Sequence, residues 1–241
     1  MEQVGYLLAF GLAIVHGLAA QIPIERLIPK FRWTSFAGGV SLAFVFLEIF
    51  PELSHAQSEI EHIDSVLLHY LENHVYILAL IGLMFFYLLD AIVLKVRRLH
   101  PARTTQDFPI LFWLHMAAFA TLNLITGYLI QELSHHSLSS CLIFFAAIAL
   151  HFFVIDEHLR HHHQSAYDRL GRWILVACII LGAVIGQTTT LNPLLVTVIW
   201  SFLAGSIILN VLKRELPDEQ DSCVFSFLSG TLVFSGLLFL R

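Results

Sequence analysis

Long apolar stretches separated by short polar segments make up most of this chain. Eight can be distinguished, at roughly 4–24, 35–51, 74–96, 108–131, 138–159, 172–189, 192–213 and 221–240. Each is close to the roughly 20 residues that an α-helix needs to cross the hydrocarbon core of a bilayer. The pattern therefore predicts an all-α membrane protein with eight transmembrane helices, folded as a single polytopic membrane domain over residues 1–241.

The composition agrees with a membrane protein and argues against other classes. Apolar residues make up 57% of the chain and charged residues 13%, with a mean hydropathy of +0.77. A soluble domain of this length does not need so much apolar surface. The net charge of −5 does not favour binding to nucleic acid. The three cysteines lie in separate apolar segments, so neither a disulfide framework nor a thiolate metal site is expected.

The basic residues indicate how the spans are oriented. Twelve of the 13 lie in or beside the segments after spans 1, 3, 5 and 7, and the loops after spans 2, 4 and 6 contain none. The positive-inside rule then places these twelve on the cytoplasmic side and both termini outside. A chain with seven or nine spans would scatter the charges over both sides. We expect an integral, multi-pass protein of a cytoplasmic or inner membrane, surrounded by the lipid bilayer.

An internal repeat relates the second and seventh spans. Residues 35–52 match residues 201–218 at an offset of 166 positions, so that Gly39 corresponds to Gly205 and Pro51 to Pro217. The charge pattern gives these two spans opposite orientations. Similar segments in opposite orientations are typical of inverted-repeat transporters, which bind their substrate near the membrane midplane. We therefore predict an inverted repeat in which spans 1–3 mirror spans 6–8, with spans 4 and 5 between them.

Ionisable side chains inside the spans are the candidates for chemistry, because burial in a bilayer is costly for them. The ionisable residues within the spans are all imidazoles or carboxylates: His16, Glu48, Asp90, His115, His151 and Asp156. Two amide side chains, Asn123 and Asn210, accompany them. Imidazole nitrogen and carboxylate oxygen are ligands for zinc and related metals, and they also suit a proton relay. His151 could instead bond to a neighbouring helix, and Asp90 could pair with Lys95 near the inner interface.

Three segments of the chain resemble the ZIP family of divalent-metal transporters. The sequence AGGVSLAFVFLEIFPE at 37–52 is similar to the family's second helix, FFYLLDAIVLKV at 85–96 to its third and LAGSIILNVLKRELPD at 203–218 to its seventh. The resemblance implies that helices 2, 3, 7 and 8 act mainly as scaffold and that helices 4 and 5 carry the transport site. The fourth helix departs from the family motif, since LNLITG at 122–127 keeps Asn123 but has Leu122 and Thr126 where the family has His and an acid.

The resemblance implies a carrier that moves a divalent metal cation toward the cytoplasm, with zinc as the first candidate and a homodimer as one candidate assembly. The candidate metal ligands are His151, Asn123, His115, His16, Glu48 and Asp156. One alternative is a ZIP-fold membrane protein that regulates or binds a partner without transporting zinc. Another is an intramembrane metal-dependent hydrolase. The chain has no GxSxG, HExxH or phosphate-binding glycine motif, so no enzymatic activity, catalytic residue or organic cofactor is expected.

Cysteine labelling tests the predicted orientation. Gln57→Cys and His135→Cys should react with a membrane-impermeant maleimide added outside, because both follow outward-directed spans. His163→Cys should not react, because it lies after the fifth span. Labelling of His163→Cys from outside would contradict the eight-span orientation.

Overall fold

The computed structural model describes residues 2–18, 29–61, 74–99, 109–136, 138–216 and 222–239. Within these ranges the chain is helical and contains no strand, which confirms the all-α prediction. Nine α-helices follow one another there: α1 (Glu2–Leu18), α2 (Lys30–Phe44), α3 (Phe50–Glu61), α4 (His74–Leu99), α5 (Pro109–His136), α6 (Leu138–Ala166), α7 (Arg172–Thr188), α8 (Pro193–Asn210) and α9 (Val224–Phe239). Helices α2 and α3 together correspond to predicted span 2, so each later helix is numbered one higher than its span.

Within the described ranges, six helical stretches are long and apolar enough to cross a membrane: Phe31–Ser58, Val75–Val96, Phe112–His135, Leu138–Glu157, Tyr167–Thr188 and Pro193–Lys213. Two shorter apolar helices, Gln3–Leu18 and Val224–Phe239, accompany them. The chain is therefore a multi-pass membrane protein. All eight apolar segments predicted from the sequence are represented by helices.

The distribution of side chains also fits a bilayer. Large apolar residues such as Leu7, Phe10, Met84 and Trp113 lie on the surface, whereas several polar residues are buried. A soluble protein rarely exposes so much contiguous apolar surface. In lipid this arrangement is favourable, because the outer surface contacts hydrocarbon and polar groups find partners inside the protein.

The helices divide into two compact units. Unit 1 contains residues 1–30, 89–190 and 237–241, and unit 2 contains residues 31–88 and 191–236. Unit 1 thus includes α1, α5, α6 and α7, and unit 2 includes α2, α3, α8 and most of α9. Helix α4 contributes its first half to unit 2 and its second half, from Leu89 onward, to unit 1.

In unit 2, glycines bring two pairs of helices into close contact. Gly39 of α2 lies against the backbone of Phe227 and Thr231 in α9, and Gly205 of α8 lies against the backbone of Ala79 and Leu83 in α4. In each case a Cβ atom would overlap a backbone carbonyl oxygen. Small residues at such crossings let helix backbones approach closely, which is a common basis of helix association in membranes.

The helices of unit 1 pack in a similar way. Gly127 of α5 lies against the backbone of Ile179 and Ala183 in α7, and Gly186 of α7 lies further along, against Tyr128. These contacts advance in the same direction along both helices, so α5 and α7 run parallel. Packing between α5 and α7 fixes the side of α5 that faces α1 and α6, where the polar residues described below are found.

In the part of the chain that the structure describes, three helical runs contain a π-helical turn: Val45–Ile49, Tyr167–Gly171 and Val211–Glu215. The first and third are separated by the same 166 positions as the sequence repeat. The second lies in the segment 160–172, which the sequence analysis treats as a short loop but which is helical throughout. Within this segment, Nε of Arg160 donates to Oδ1 of Asp168 at 3.2 Å. Pro217 and Asp218, the end of the second repeat copy, lie outside the described residues.

The structure also refines the labelling positions. Gln57 and His163 are buried, with exposed fractions of 6% and 1%, so a cysteine there reports burial as well as orientation. His55, His135 and Arg169 are exposed. His55→Cys should therefore replace Gln57→Cys as the outside probe, and Arg169→Cys should replace His163→Cys as the inside probe. His135→Cys stays as the second outside probe.

Replacing Gly39 with alanine should destabilise the protein, because the added methyl group overlaps the carbonyl oxygen of Phe227. Overpacking of this kind typically lowers the free energy of unfolding by about 1–3 kcal/mol. Gly236→Ala, in the same unit, is the matched control, since no atom lies within 4 Å of its added Cβ. Denaturant unfolding in detergent measures both variants. Equal stability of the two would show that the close approach of α2 and α9 does not require glycine.

Candidate functional site

The most connected polar group in unit 1 is centred on His16. This residue is buried in α1, and both of its ring nitrogens contact side chains of other helices. Its Nδ1 lies 2.8 Å from Oδ1 of Asp156 in α6. Its Nε2 lies 2.6 Å from Oδ1 of Asn123 in α5. One imidazole therefore joins three helices that are far apart in sequence.

The orientation of Asn123 follows from a second contact. Its Nδ2 donates to the backbone carbonyl of Phe119, one turn earlier in α5, at 2.9 Å. The amide oxygen is then the atom that faces His16, and it can only accept a hydrogen bond. Nε2 of His16 must therefore carry a hydrogen.

The contact with Asp156 adds a further proton to this arrangement. Because Nε2 of His16 is protonated, Nδ1 either carries a second proton as an imidazolium facing a carboxylate, or accepts a proton held by Asp156. In both cases one proton lies between the two side chains. The hydroxyl group of Tyr167 also donates to Oδ1 of Asp156, whereas the buried Oδ2 of Asp156 has no hydrogen-bond partner among the described residues.

Aromatic and aliphatic side chains surround this polar cluster. The ring of Phe152 lies 4.5 Å from that of His16, measured between centroids. Phe119, one turn before Asn123 in α5, and Ile155, next to Asp156 in α6, are also buried. In surroundings of low polarity, hydrogen bonds and charge interactions are stronger than in water, and an unpaired polar atom is more costly. The cluster therefore favours one specific packing of the three helices. It would also interact strongly with a proton or a cation placed there.

A second polar group in unit 1 contains His115 of α5 and His163 of α6. Nδ1 of His115 lies 3.0 Å from Nε2 of His163, and Nε2 of His115 lies 3.7 Å from Oδ1 of Asp90 in α4. All three residues are buried. The pairing of Asp90 with Lys95 that the sequence left open is replaced here by a contact with His115.

The structure thus places the six candidate ligands in different surroundings. His16, Asn123 and Asp156 come together, and His115 belongs to the second group. His151 is buried in α6, five residues before Asp156, with the ring of Phe152 beside it. Glu48 lies partly buried in the π-helical turn Val45–Ile49 of unit 2.

Sequence reasoning missed two residues that take part in these groups. Tyr167 was not considered, and His163 was treated only as a position after the fifth span. The spacing of seven between Asp156 and His163 was the available signal, because it places both on one face of a helix that continues to Ala166. Tyr167 follows Asp156 by eleven residues, about three helical turns, so the same kind of spacing was available for it once the segment is taken as helical.

The donor set of the His16 group can serve a transition metal, although it is not a preformed metal centre. Among the described residues, no three His, Cys, Asp or Glu side chains lie together in a metal-binding arrangement. The group offers one imidazole nitrogen, one carboxylate and one amide oxygen, which are ligand types that zinc and related metals accept. A cation bound here would also engage the buried Oδ2 of Asp156.

Comparison of the chain with protein family models, with curated proteins and with solved structures finds no match.

A double-mutant cycle tests the coupling of His16 to Asp156. Asp156→Asn and His16→Phe should each lower the free energy of unfolding by about 1–3 kcal/mol, because each leaves a buried partner without its hydrogen bond. The double variant should lose less than the sum, since the two residues share one interaction. Glu157→Gln, at the exposed neighbouring position, should change the stability little. Additive losses in the cycle would contradict a direct contact between His16 and Asp156.

Proposed function

We propose that this protein is a ZIP-like carrier that moves a divalent transition-metal cation toward the cytoplasm, with zinc as the first candidate. The observation that carries the proposal is the grouping of the helices. The helices that correspond to spans 2, 7 and 8 lie in one unit, with the first half of span 3. These are the helices to which the family resemblance assigns the scaffold role. The hydrogen-bonded group of His16, Asn123 and Asp156 lies in the other unit, on spans 1, 4 and 5.

An inverted repeat within eight spans forms part of this proposal, and two features of unit 2 support it. The contacts of Gly39 and Gly205 correspond, because their partners Phe227 and Ala79 differ by 148 positions, and so do Thr231 and Leu83. The contact between spans 2 and 8 at Gly39 therefore corresponds to the contact between spans 7 and 3 at Gly205, as an inverted repeat requires. The π-helical turns at Val45–Ile49 and Val211–Glu215 also fall at equivalent repeat positions.

The His16 group suggests how such a carrier would handle its substrate. A metal can bind Nδ1 of His16 and the carboxylate of Asp156 only after the proton between them has left, because coordination and protonation compete for the same electron pairs. Asn123 would keep the imidazole oriented, since its amide is held by the carbonyl of Phe119. Binding would exchange one proton for one cation and would replace the direct hydrogen bond between His16 of α1 and Asp156 of α6, while the contact of His16 with Asn123 of α5 is kept.

A ZIP-fold protein that does not transport zinc is the second candidate. One observation favours it: the ligand atoms of His16, Asn123 and Asp156 are engaged in hydrogen bonds with one another. Such a network can serve purely to hold three helices together. The third candidate, a hydrolase, would need three ligands converging on a metal-bound water, and no such group occurs among the described residues.

Tracer uptake into proteoliposomes tests the proposal. The purified chain should take up zinc or cobalt in preference to calcium or magnesium, because the site has few carboxylates and hard cations depend on carboxylate charge. Asp156→Asn and His151→Ala should each lower zinc uptake by about tenfold or more, a loss of the size reported for residues that hold or orient metal ligands. His135→Ala, at an exposed position on α5, should transport normally.

Two results would contradict the proposal. Uptake of no divalent cation by a folded wild-type protein would favour the protein without transport activity. Normal uptake by Asp156→Asn together with normal uptake by His151→Ala would place the transport path elsewhere in the chain.

A further inference from the structure

The His115 group lies two helical turns away from the His16 group. On α5, His115 precedes Asn123 by eight residues, and on α6, His163 follows Asp156 by seven. With a rise of about 1.5 Å per residue, both spacings correspond to roughly 10–12 Å along the helix axes. Because α5 and α6 make these contacts as antiparallel helices, the two displacements point to the same end of unit 1. The groups are therefore two separate polar levels along one helix interface.

The distance between the two imidazoles is close to what a bound metal requires. Nδ1 of His115 and Nε2 of His163 are 3.0 Å apart. Two nitrogens on a tetrahedral zinc ion, each about 2.0–2.1 Å from the metal, are separated by about 3.3 Å. The rings, whose centroids are 5.3 Å apart, would need to tilt and to separate by a few tenths of an ångström. A change of this size is within the range of small side-chain rotations.

Asp90 occupies the position of a supporting carboxylate. Its Oδ1 faces Nε2 of His115, the nitrogen that points away from His163. Histidine ligands commonly donate their second ring N–H to a carboxylate, which fixes the tautomer and makes the ligating nitrogen more basic. At 3.7 Å the contact between Asp90 and Nε2 of His115 is a charge contact longer than a hydrogen bond. Shortening it by less than about 1 Å when a metal binds would fix the hydrogen of His115 on Nε2 and leave Nδ1 for the metal. Its negative charge would also offset part of the charge of a cation in a buried position.

The surroundings favour a transient site over a permanent one. Aromatic rings lie next to the pair, with Phe112 5.3 Å from His163 and Phe119 6.2 Å from His115, measured between centroids. Two imidazoles are fewer protein ligands than the four of a structural zinc site or the three of a catalytic one. Binding should accordingly be weaker and more readily reversible than at such sites. Imidazole nitrogen selects transition metals over calcium and magnesium.

We propose that His115 and His163, supported by Asp90, form a second binding site for a divalent transition metal, distinct from the His16 group. This inference deepens the proposed function and rests on it for the class of cation. It gives unit 1 two cation positions along the interface of α5 and α6. It also assigns His163 and Asp90 a role as ligand and positioning residue, respectively.

Cobalt binding to cysteine variants tests the site. His163→Cys, in the purified full-length chain in detergent, keeps a ligand at this position but changes it to a thiolate. Co²⁺ bound there should produce a thiolate-to-cobalt charge-transfer band in the near ultraviolet. The wild-type chain, with its three cysteines at other positions, provides the baseline. His135→Cys, an exposed position on α5, is the matched control and should add no band at the same cobalt concentration.

Two further substitutions in the His163→Cys chain separate the roles of the partners. Asp90→Asn should weaken the cobalt titration of the band by about 10- to 100-fold, which is the usual effect of removing a carboxylate behind a histidine ligand. His115→Ala should abolish the band. His115→Cys in the otherwise unchanged chain is the reciprocal variant and should produce the band by itself, which covers the case that His163→Cys does not fold.

The outcomes distinguish this site from the proposed function. Absence of the band in whichever of the two cysteine variants is folded would overturn the second site, even if zinc uptake continues and depends on Asp156. A band that is insensitive to Asp90→Asn and His115→Ala would also overturn it, because cobalt would then be bound by other residues. A band with the expected sensitivities would support the site, and if it accompanies a protein without uptake, only the transport proposal fails.

Discussion

The structure of unit 1 depends on the absence of water from the bilayer interior. A polar side chain there must find its hydrogen-bond partners within the protein, and His16 has two ring nitrogens to satisfy. Only α5 and α6 together supply them, through Asn123 and Asp156. The requirement of one imidazole thus ties three helices to one arrangement. Apolar packing alone would fix this arrangement less well. Because lipid tails are as apolar as the helices, rotating an apolar helix about its axis changes its free energy little.

The glycine contacts and the polar contacts have complementary roles. Gly127 lets α5 approach the backbone of Ile179 in α7, and this close approach allows little freedom of rotation or sliding. His115 of α5 then meets His163 of α6, and Asn123 of α5 meets His16 of α1. Both polar groups lie on this one interface, so a change that moves α6 relative to α5 would alter both at once.

The sequence was sufficient for the helices but not for the partners of their polar residues. Apolar runs near 20 residues predict spans because every backbone group in lipid must be bonded within a helix, and the structure has a helix at each predicted run. The same pattern does not say how each helix is rotated. Nothing in the sequence indicated that Asp156 contacts His16. His163 was placed after the fifth span, whereas α6 continues to Ala166. The contact of Asp156 with His16 joins residues 140 positions apart and that of His163 with His115 joins residues 48 apart, and no local pattern contains such contacts.

The paired π-helical turns have a consequence for the history of the chain. A π-helical turn holds one more residue per hydrogen-bonded ring than an α-helical turn, so it behaves as a one-residue insertion that a helix has absorbed. Val45–Ile49 and Val211–Glu215 lie at the same place in the two copies of the proposed repeat. Two independent insertions at matching sites are a less economical origin than one. With the proposed repeat, the extra residue of the π-helical turn belongs to the ancestral segment. Duplication then copied a helix that already contained this irregularity.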